Sequence, residues 1–248
     1  MSAFLVGNAL LHYETTGRGK PVIFLHNFIG SWRYWLGPME YLSSSFKGYA
    51  LDLWGYGDSA RIEFGQYTLP RHVEQLADFI DQMGVGQTAL VGHGYGALVA
   101  QQYAKRFSGR VNRLVSIVHA MPHAAKVGAA HFRSHSWLAS QKLPEAVIAD
   151  CLKADPLAVQ AGWDTARQTQ PHAPLESMPQ NLPHLVITYG DAIKEKSPNK
   201  VAMTQNDLFP MEQNPEELQR MLLEFLTGSS QEIGRGMIVK EFWKRRVR

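Results

Sequence analysis

Three glycines at alternate positions, Gly92, Gly94 and Gly96, separate two apolar runs in this 248-residue chain. The first run, Thr88–Val91, is short and rich in aliphatic and β-branched residues, which is typical of a buried strand. The second, Gly96–Phe107, carries its apolar residues at helical spacing. The sequence therefore predicts a strand that enters a helix through a sharp glycine turn, and this unit constrains the chain to a layered α/β fold.

Short apolar runs and helical patterns alternate through most of the chain. This alternation predicts a mostly parallel sheet with helices on both faces. Eight strands are predicted at residues 4–6, 10–14, 22–25, 48–51, 88–91, 114–118, 185–189 and 201–203. Helices are predicted at residues 35–43, 70–83, 96–107 and 214–226, with two further helical pieces at 130–141 and 145–153.

The alternation lapses between residues 121 and 181, a stretch rich in alanine, histidine and proline. Ligands of open α/β sheets bind at the carboxyl edge of the strands, so an insertion here would cover that edge. We predict a core of residues 1–120 and 182–230, a cap insertion of residues 121–181 and a C-terminal tail of residues 231–248.

Composition excludes several classes of protein. With 45% hydrophobic and 19% charged residues, the chain can bury one large core. Its one cysteine, Cys151, permits no internal disulfide and no cysteine-based zinc site, which favours a reducing compartment. Neither a signal peptide nor a membrane span is apparent. We therefore expect a cytoplasmic protein without a cofactor or a metal ion.

The last nine residues form a basic tail. Five basic residues and Glu241 give it a formal charge of +4, which leaves the rest of the chain near −1. The tail could contact an anionic membrane surface or an acidic protein partner, or it could simply pack with its charges solvated. Nucleic acid is not an expected partner. The basic residues are Lys240, Lys244, Arg245, Arg246 and Arg248.

Five motifs, in order, resemble those of the α/β-hydrolase superfamily, in particular the branch of haloperoxidases, epoxide hydrolases and small esterases. The resemblance extends to about Leu226 and implies an eight-stranded, mostly parallel sheet with a short helical cap. The motifs are an oxyanion turn at residues 21–28, a D-x-x-G-x-G-x-S loop at 52–59, a nucleophile elbow at 92–96, an acid segment at 185–198 and a base segment at 207–217.

The three positions where the family carries its catalytic triad are altered. Gly94 stands at the nucleophile's position, Ile193 at the acid's and Leu208 at the base's. Glycine has no atom that can attack a carbonyl, and leucine cannot accept a proton. The sequence therefore predicts a degenerate triad and no serine-hydrolase activity.

Three other residues could substitute in a different chemistry. His119 ends a predicted strand at the carboxyl edge, Asp191 lies close to the acid position, and His93 precedes the glycine turn. A structural role is more typical of a histidine at the position of His93. His131 and His135 have the spacing of two metal ligands on a helix but lack a third ligand, so we predict no metal site.

The same resemblance predicts a ligand pocket near the glycine turn. Asn27 stands where the family usually has a glycine, and asparagine tolerates left-handed backbone better than other side chains. The N–H groups of Phe28 and Tyr95 are expected to face the pocket, where they could bind an oxygen without reacting with it. The predicted pocket residues are His26, Asn27, Phe28, Trp35, Tyr95 and His119.

Three functions remain open at this point. The first is a catalytically silent protein that binds a small apolar molecule or a partner in the capped pocket. The second is an enzyme without a covalent intermediate, such as a lyase, cyclase, isomerase or atypical hydrolase, that uses His119, His93 or Asp191. The third is an adaptor that binds a membrane surface or a protein through the basic tail.

Overall fold

A computed structural model describes residues 2–63, 65–119, 128–169, 178–189, 200–203 and 208–228. All eight predicted strands are present, with ends that differ by a few residues. They are β1 (Ser2–Val6), β2 (Ala9–Gly17), β3 (Lys20–Leu25), β4 (Phe46–Leu51), β5 (Thr88–His93), β6 (Val111–His119), β7 (His184–Tyr189) and β8 (Lys200–Met203).

The strands form one sheet in the order β1-β2-β4-β3-β5-β6-β7-β8. β2 runs antiparallel to both of its neighbours, and the pairs from β4 to β8 are parallel. The predicted fold class, a mostly parallel eight-stranded sheet with flanking helices, is confirmed. The C-terminal tail of residues 231–248, which includes the basic tail, lies outside the described residues.

The helices pack on both faces of the sheet. Gly48 of β4 faces Met39, whereas the next residue, Tyr49, packs its ring against Phe79 at a centroid distance of 5.8 Å on the other face. No helix of the described residues is both long and apolar enough to cross a membrane. The helices are α1 (Leu36–Leu42), α2 (Leu69–Gln82), α3 (Tyr95–Arg106), α4 (Ala129–Phe132), α5 (His135–Ser140), α6 (Glu145–Lys153), α7 (Pro156–Thr169), α8 (Pro210–Gln213) and α9 (Pro215–Thr227).

The centre of the sheet is fully buried, as its continuous apolar runs predict. Val22–Leu25 of β3 and Leu90 and Val91 of β5 have no exposed surface. Strands of a parallel sheet are covered on both faces, so a period of two is absent from such runs. Gly92 allows α3 to approach β5 closely, since a Cβ there would lie 2.5 Å from the Cα of Ala97.

Helices α4–α7, which we call the α4–α7 segment, follow β6 and precede β7 in the chain. The prediction of one continuous helix over residues 130–141 is wrong. The chain leaves the helix after Phe132, and the Ser134 hydroxyl accepts a hydrogen bond from the Trp137 N–H, which starts α5 anew. His131 and His135 are therefore on different helices.

Helix α7 is a 14-residue helix that the sequence reading missed. Its start signal is nevertheless present. The Asp155 carboxylate accepts a hydrogen bond from the Leu157 N–H at 2.9 Å, and Pro156 occupies the first helical position. Aspartate followed by proline is a common helix start because the proline lacks only an N–H that the helix would leave unpaired.

A buried carboxylate holds α6 against the loop that follows β3. Asp150 accepts hydrogen bonds from Arg33 Nε at 2.5 Å and from Lys153 Nζ at 2.9 Å. Lys153 also contacts the Asp58 carboxylate at 2.9 Å. Because Asp150 is buried whereas both cations reach solvent, the carboxylate depends on these partners more than they depend on it.

We predict that Asp150→Ala lowers the free energy of unfolding by about 2 kcal/mol, because it removes the shared acceptor of two cations and opens a gap under α6. Chemical denaturation measures the change. Glu145→Ala on the same helix is the control, since its side chain is 78% exposed, and it should cost less than about 1 kcal/mol. Equal losses in the two variants would contradict the proposed role of Asp150.

Candidate functional site

The sharp turn between β5 and α3 places Gly94 in a backbone conformation with positive φ. Gly94 adopts φ 52° and ψ −113°, and its N–H donates to the carbonyl of Ile117 on β6 at 2.8 Å. A residue with a side chain is strained at such a positive φ, typically by about 1–3 kcal/mol. Here the glycine leaves the turn unstrained and presents no side chain.

The space that a side chain at position 94 would fill is taken by Asn27. A Cβ on Gly94 would lie 2.1 Å from Asn27 Oδ1 and 2.6 Å from its Nδ2. The same Oδ1 accepts hydrogen bonds from the N–H of Phe28 at 2.8 Å and from the N–H of Tyr95 at 2.9 Å. Two backbone donors that converge on one oxygen have the geometry of an oxyanion hole. The two donors predicted from the sequence thus meet at one point, and the oxygen they bind belongs to the chain itself.

The backbone of Asn27 is fixed independently of its side chain. Its N–H donates to the Tyr34 hydroxyl at 2.6 Å, and its carbonyl accepts from His26 Nδ1 at 2.7 Å. His26 Nε2 in turn accepts from the N–H of Leu53 at 3.0 Å. Burial lowers the pKa of His26, so the ring stays neutral. It joins the backbone of Asn27 to the backbone of Leu53. The backbone of Asn27 does not use the left-handed region, which among the described non-glycine residues only Lys142 occupies.

Behind the turn, Tyr34 joins Asn27 to His93. The Tyr34 hydroxyl, which accepts from Asn27, lies 3.1 Å from His93 Nδ1 and can donate to it. Burial raises the pKa of Tyr34 well above its usual value, so the phenol keeps this proton. His93 is itself fully buried. Through Tyr34, His93 is linked to the backbone of Asn27.

The three positions at which the sequence places the triad are only partly described. Leu208 is half-buried and packs on the core, where it contributes hydrocarbon and no titratable atom. Phe209 follows it and packs against His93 and Tyr34 at centroid distances of 6.4 and 6.2 Å. Ile193 and Asp191 lie outside the described residues, and for His119 only its place at the end of β6 is described.

Next to Asn27, an aromatic cluster joins the core to the α4–α7 segment. Phe28 packs against Trp163 at 5.5 Å and against Phe132 at 5.7 Å, and Trp137 contacts Phe209 at 6.3 Å. Trp35, another predicted pocket residue, is fully buried and packs against Phe24 and Tyr34. The aromatic cluster consists of Phe28, Phe132, Trp137, Trp163 and Phe209.

The Tyr95 side chain is engaged with α2. Its hydroxyl lies 2.8 Å from His72 Nδ1, and His72 Nε2 lies 3.3 Å from the carbonyl of Trp54. The carbonyl can only accept, so Nε2 carries the proton and Tyr95 donates to Nδ1. Burial lowers the pKa of His72 to about 4. Sequence reasoning missed His72 and Tyr34, whose roles depend on contacts between distant segments.

His12, Asp52 and Asp58 form the one group of possible metal ligands among the described residues. However, Asp52 Oδ1 accepts from the Trp32 N–H at 2.8 Å, and Oδ2 accepts from the Asp58 N–H at 2.9 Å and contacts His12 Nδ1 at 2.8 Å. Burial alone would lower the pKa of His12, but the hydrogen bond and the charge of Asp52 outweigh it, and the pKa is raised. Because its oxygens already accept these bonds, Asp52 has a structural role: it holds the loop of residues 52–59 against Trp32 and His12.

A serine and a histidine also meet away from the glycine turn. Ser116 Oγ lies 2.8 Å from His184 Nε2 and accepts from Gln101 Nε2 of α3 at 3.1 Å. Both residues are buried, and Ser116 lies mid-strand opposite Gly92. Burial lowers the pKa of His184 to about 4. This pair belongs to the interface between α3 and the sheet.

Comparison with known proteins matches residues 20–157 to the family model of the alpha/beta hydrolase fold. Epoxide hydrolase 2 of Siraitia grosvenorii is 36% identical over 109 residues, or 43% of this chain and 34% of that protein. Soluble epoxide hydrolase of Corynebacterium sp. is 30% identical over 126 residues, or 50% of this chain and 43% of that protein. The matched stretch thus spans less than half the length of these relatives.

Solved structures extend the similarity to nearly the whole chain. A hydrolase from Pseudomonas aeruginosa aligns with a TM-score of 0.74 and 20% identity, over 91% of this chain and 97% of that one. Bacillus megaterium epoxide hydrolase in complex with an inhibitor aligns with a TM-score of 0.70 and 20% identity, over 91% of this chain and 100% of that one. At this level of identity, the likeness establishes a shared fold.

The contact between position 94 and Asn27 predicts a thermodynamic coupling. Gly94→Ala should cost more than about 3 kcal/mol, because the new Cβ is strained at positive φ and collides with the Asn27 carboxamide. Asn27→Gly should cost about 1–3 kcal/mol, because two buried donors lose their acceptor. In the double variant the collision is gone, and the total loss should be at least 1 kcal/mol smaller than the sum.

The control for this cycle is Gly84→Ala. Gly84 also has a positive φ, +64°, but nothing lies within 4 Å of a Cβ placed on it. This variant isolates the backbone strain from the collision, and its effect should add to that of Asn27→Gly. Unfolding by urea, monitored by circular dichroism, gives the free energy of unfolding of each protein. The set comprises the wild type, the three single variants and the two double variants that contain Asn27→Gly. Additive losses for Gly94→Ala and Asn27→Gly would contradict the described contact.

The neutral His72 predicts a loss of stability in acid. The unfolded ring takes up a proton near pH 6.5 and the folded ring only near pH 4, so between these values the folded state binds fewer protons. Stability should therefore fall as the pH is lowered through this window, by up to about 1.4 kcal/mol per pH unit for this group. In His72→Gln the slope of the free energy of unfolding against pH should decrease by the contribution of one proton, which is up to about 1.4 kcal/mol per pH unit. The same slope in wild type and His72→Gln would contradict the neutral state of this ring.

Proposed function

The chain belongs to the alpha/beta hydrolase fold family, and from that premise we propose that it is a non-hydrolytic member that binds a small apolar molecule beside the aromatic cluster. The observation that carries this proposal is the position of the Asn27 carboxamide, which fills the space beneath Gly94 and binds both oxyanion-type donors. Epoxide hydrolases are among its relatives, with partial coverage.

The chemistry of acyl or epoxide opening by a covalent route needs a nucleophilic atom at the elbow. Gly94 supplies none, and Leu208 supplies no imidazole at the position where the family carries its base. Loss of a triad's acting residues lowers turnover by about 10⁶, which corresponds to about 8 kcal/mol of barrier. Hydrolysis at the elbow should accordingly be close to the background rate.

The aromatic cluster favours an apolar ligand. Its member Phe28 lies one residue beyond Asn27, and Trp163 and Phe132 pack against Phe28 from the α4–α7 segment. Pockets for small molecules are lined mainly by apolar and aromatic side chains, with a few polar groups that orient the ligand. The α4–α7 segment would then act as the cap that the sequence predicts, and the N–H groups of Phe28 and Tyr95 would be the nearby polar groups.

Binding is tested by titrating the protein with propylbenzene in a calorimeter. We expect saturable binding to a single site, weakened at least fivefold by Trp163→Ala, which removes one wall of the aromatic cluster. Trp54→Ala, which removes a buried indole outside the cluster, is the control and should leave the affinity within twofold. The absence of binding to folded protein would refute the proposed ligand class.

The proposed absence of hydrolytic activity is tested with p-nitrophenyl acetate and styrene oxide as substrates. We expect background rates from the wild type and from Gly94→Ser, because no base accepts the serine proton. The combined variant Asn27→Gly, Gly94→Ser, Ile193→Asp, Leu208→His should produce a measurable burst of acylation, since it restores the triad types and frees the space for the serine. Turnover by the wild-type protein that survives repurification would refute the proposed absence of hydrolytic activity. A burst of acylation from Gly94→Ser alone would show that a base lies at a position other than 208.

A further inference from the structure

We propose that the Phe132 side chain occupies the place of an aromatic ring of the ligand, and that it leaves the aromatic cluster when the ligand binds. The inference rests on the proposed function, because it names the group that the apolar ligand carries and the step that admits it. The observation behind it is the packing of the Phe132 ring against Trp163 at a centroid distance of 4.7 Å, Trp137 at 4.9 Å and Phe28 at 5.7 Å.

Two of these neighbouring rings are held firmly by the fold. Phe28 and Trp163 are buried and pack against each other at 5.5 Å. The backbone of α7 lies directly against Phe28, since a Cβ on Gly162 would lie 2.6 Å from the Phe28 Cβ. One turn earlier, the Ala158 carbonyl accepts a hydrogen bond from the Tyr56 hydroxyl at 2.8 Å. Phe28 and Trp163 therefore form two fixed walls.

Phe132 is held less firmly than these walls. It ends α4, a helix of four residues whose N-cap, Gly128, has no side chain that could bind the first turn. A helix this short depends on packing for its stability. The Phe132 ring is half-buried, so it can leave toward solvent. Trp137 is half-buried as well, but its N–H is bonded to the hydroxyl of Ser134, which caps α5.

The arrangement around Phe132 indicates a planar aromatic ring as the group that replaces it. Its ring meets Trp137 at an interplanar angle of 88° and Phe28 at 84°, which is the edge-to-face geometry that the charge distribution of aromatic rings favours. A ligand ring in the same place would make the same contacts. A saturated ring of similar size would be buried equally but lacks the aromatic face and edge, so it gains no such preference.

The presence of the Phe132 ring between these walls should lower the affinity of the wild type. A ligand that binds only when the ring is displaced has its affinity reduced by the fraction of molecules in which the ring is displaced. Toluene and methylcyclohexane are the probes, because they differ in whether the ring is aromatic. Calorimetric titration gives the association constant of each probe for the wild type and for Phe132→Ala.

We expect the association constant of toluene to rise at least tenfold in Phe132→Ala, because the competing ring is gone. The gain for methylcyclohexane should be at least threefold smaller, since it makes no edge-to-face contacts. Phe107→Ala is the matched control and should leave both constants within twofold. Phe107 is also half-buried at the end of a helix, and it packs on the ring of Tyr103 at 4.7 Å.

A second measurement follows the ring in a protein of full side-chain volume, since the cavity of Phe132→Ala could bind toluene without any ring movement in the wild type. Phe132 is replaced by 4-fluorophenylalanine in one sample and Phe107 in another. On saturation with toluene, the broadening of the ¹⁹F signal at position 132 by a dissolved nitroxide should increase, because the ring has moved into solvent. The signal at position 107 should not change.

Toluene binding to the wild type without increased exposure of the label at position 132 would overturn this inference. So would an association constant in folded Phe132→Ala that stays within twofold of the wild type. Equal gains for the two probes would overturn the aromatic class of the ligand.

The proposed function fails by a different result, which is the absence of propylbenzene binding to the wild type. In that case, toluene binding to Phe132→Ala that is weakened at least fivefold by the further change Trp163→Ala would still support the assigned place of the ring. Absence of binding to both the wild type and Phe132→Ala would refute the two proposals together.

Discussion

The buried N–H groups of Phe28 and Tyr95 require an acceptor, and the arrangement around the glycine turn follows from how that requirement is met. Asn27 Oδ1 satisfies both donors. An unsatisfied donor in this position would cost about 1–3 kcal/mol, so the carboxamide stabilises the turn as well as filling it. A fold that forms an oxyanion-type site on its backbone thus completes the site with its own side chain.

Gly94 and Asn27 are consequently two parts of one feature. The carboxamide can occupy its place only because Gly94 has no Cβ, and a nucleophile could return to position 94 only if the carboxamide left. Tyr34 and His26 hold the Asn27 backbone, and Phe209 packs against His93 on the other side of the turn. These contacts pack the turn tightly on both sides, and the aromatic cluster borders it.

The sheet and its flanking helices could be predicted because hydrophobic periodicity is local. Runs such as Val22–Leu25 are apolar on both faces. Pro215, followed by Glu216 and Glu217, indicates the start of α9. The same reasoning failed over residues 130–141, where the hydroxyl of Ser134 starts a new helix, and it overlooked α7 although Asp155 and Pro156 signal its start. Short helices depend on caps and packing more than on propensity.

The sequence by itself determined that this chain folds as a mostly parallel α/β sheet with a glycine turn between β5 and α3, because glycine turns and apolar periods act within a few residues. It also determined that Gly94 cannot act as a nucleophile and that Leu208 cannot act as a base, because a side chain without the necessary atom lacks it in any fold. Only the tertiary structure decided what fills the space beside Gly94. The convergence of Asn27, Phe28 and Tyr95 joins residues 68 positions apart, and a hydrogen bond at that separation depends on strand order and helix packing.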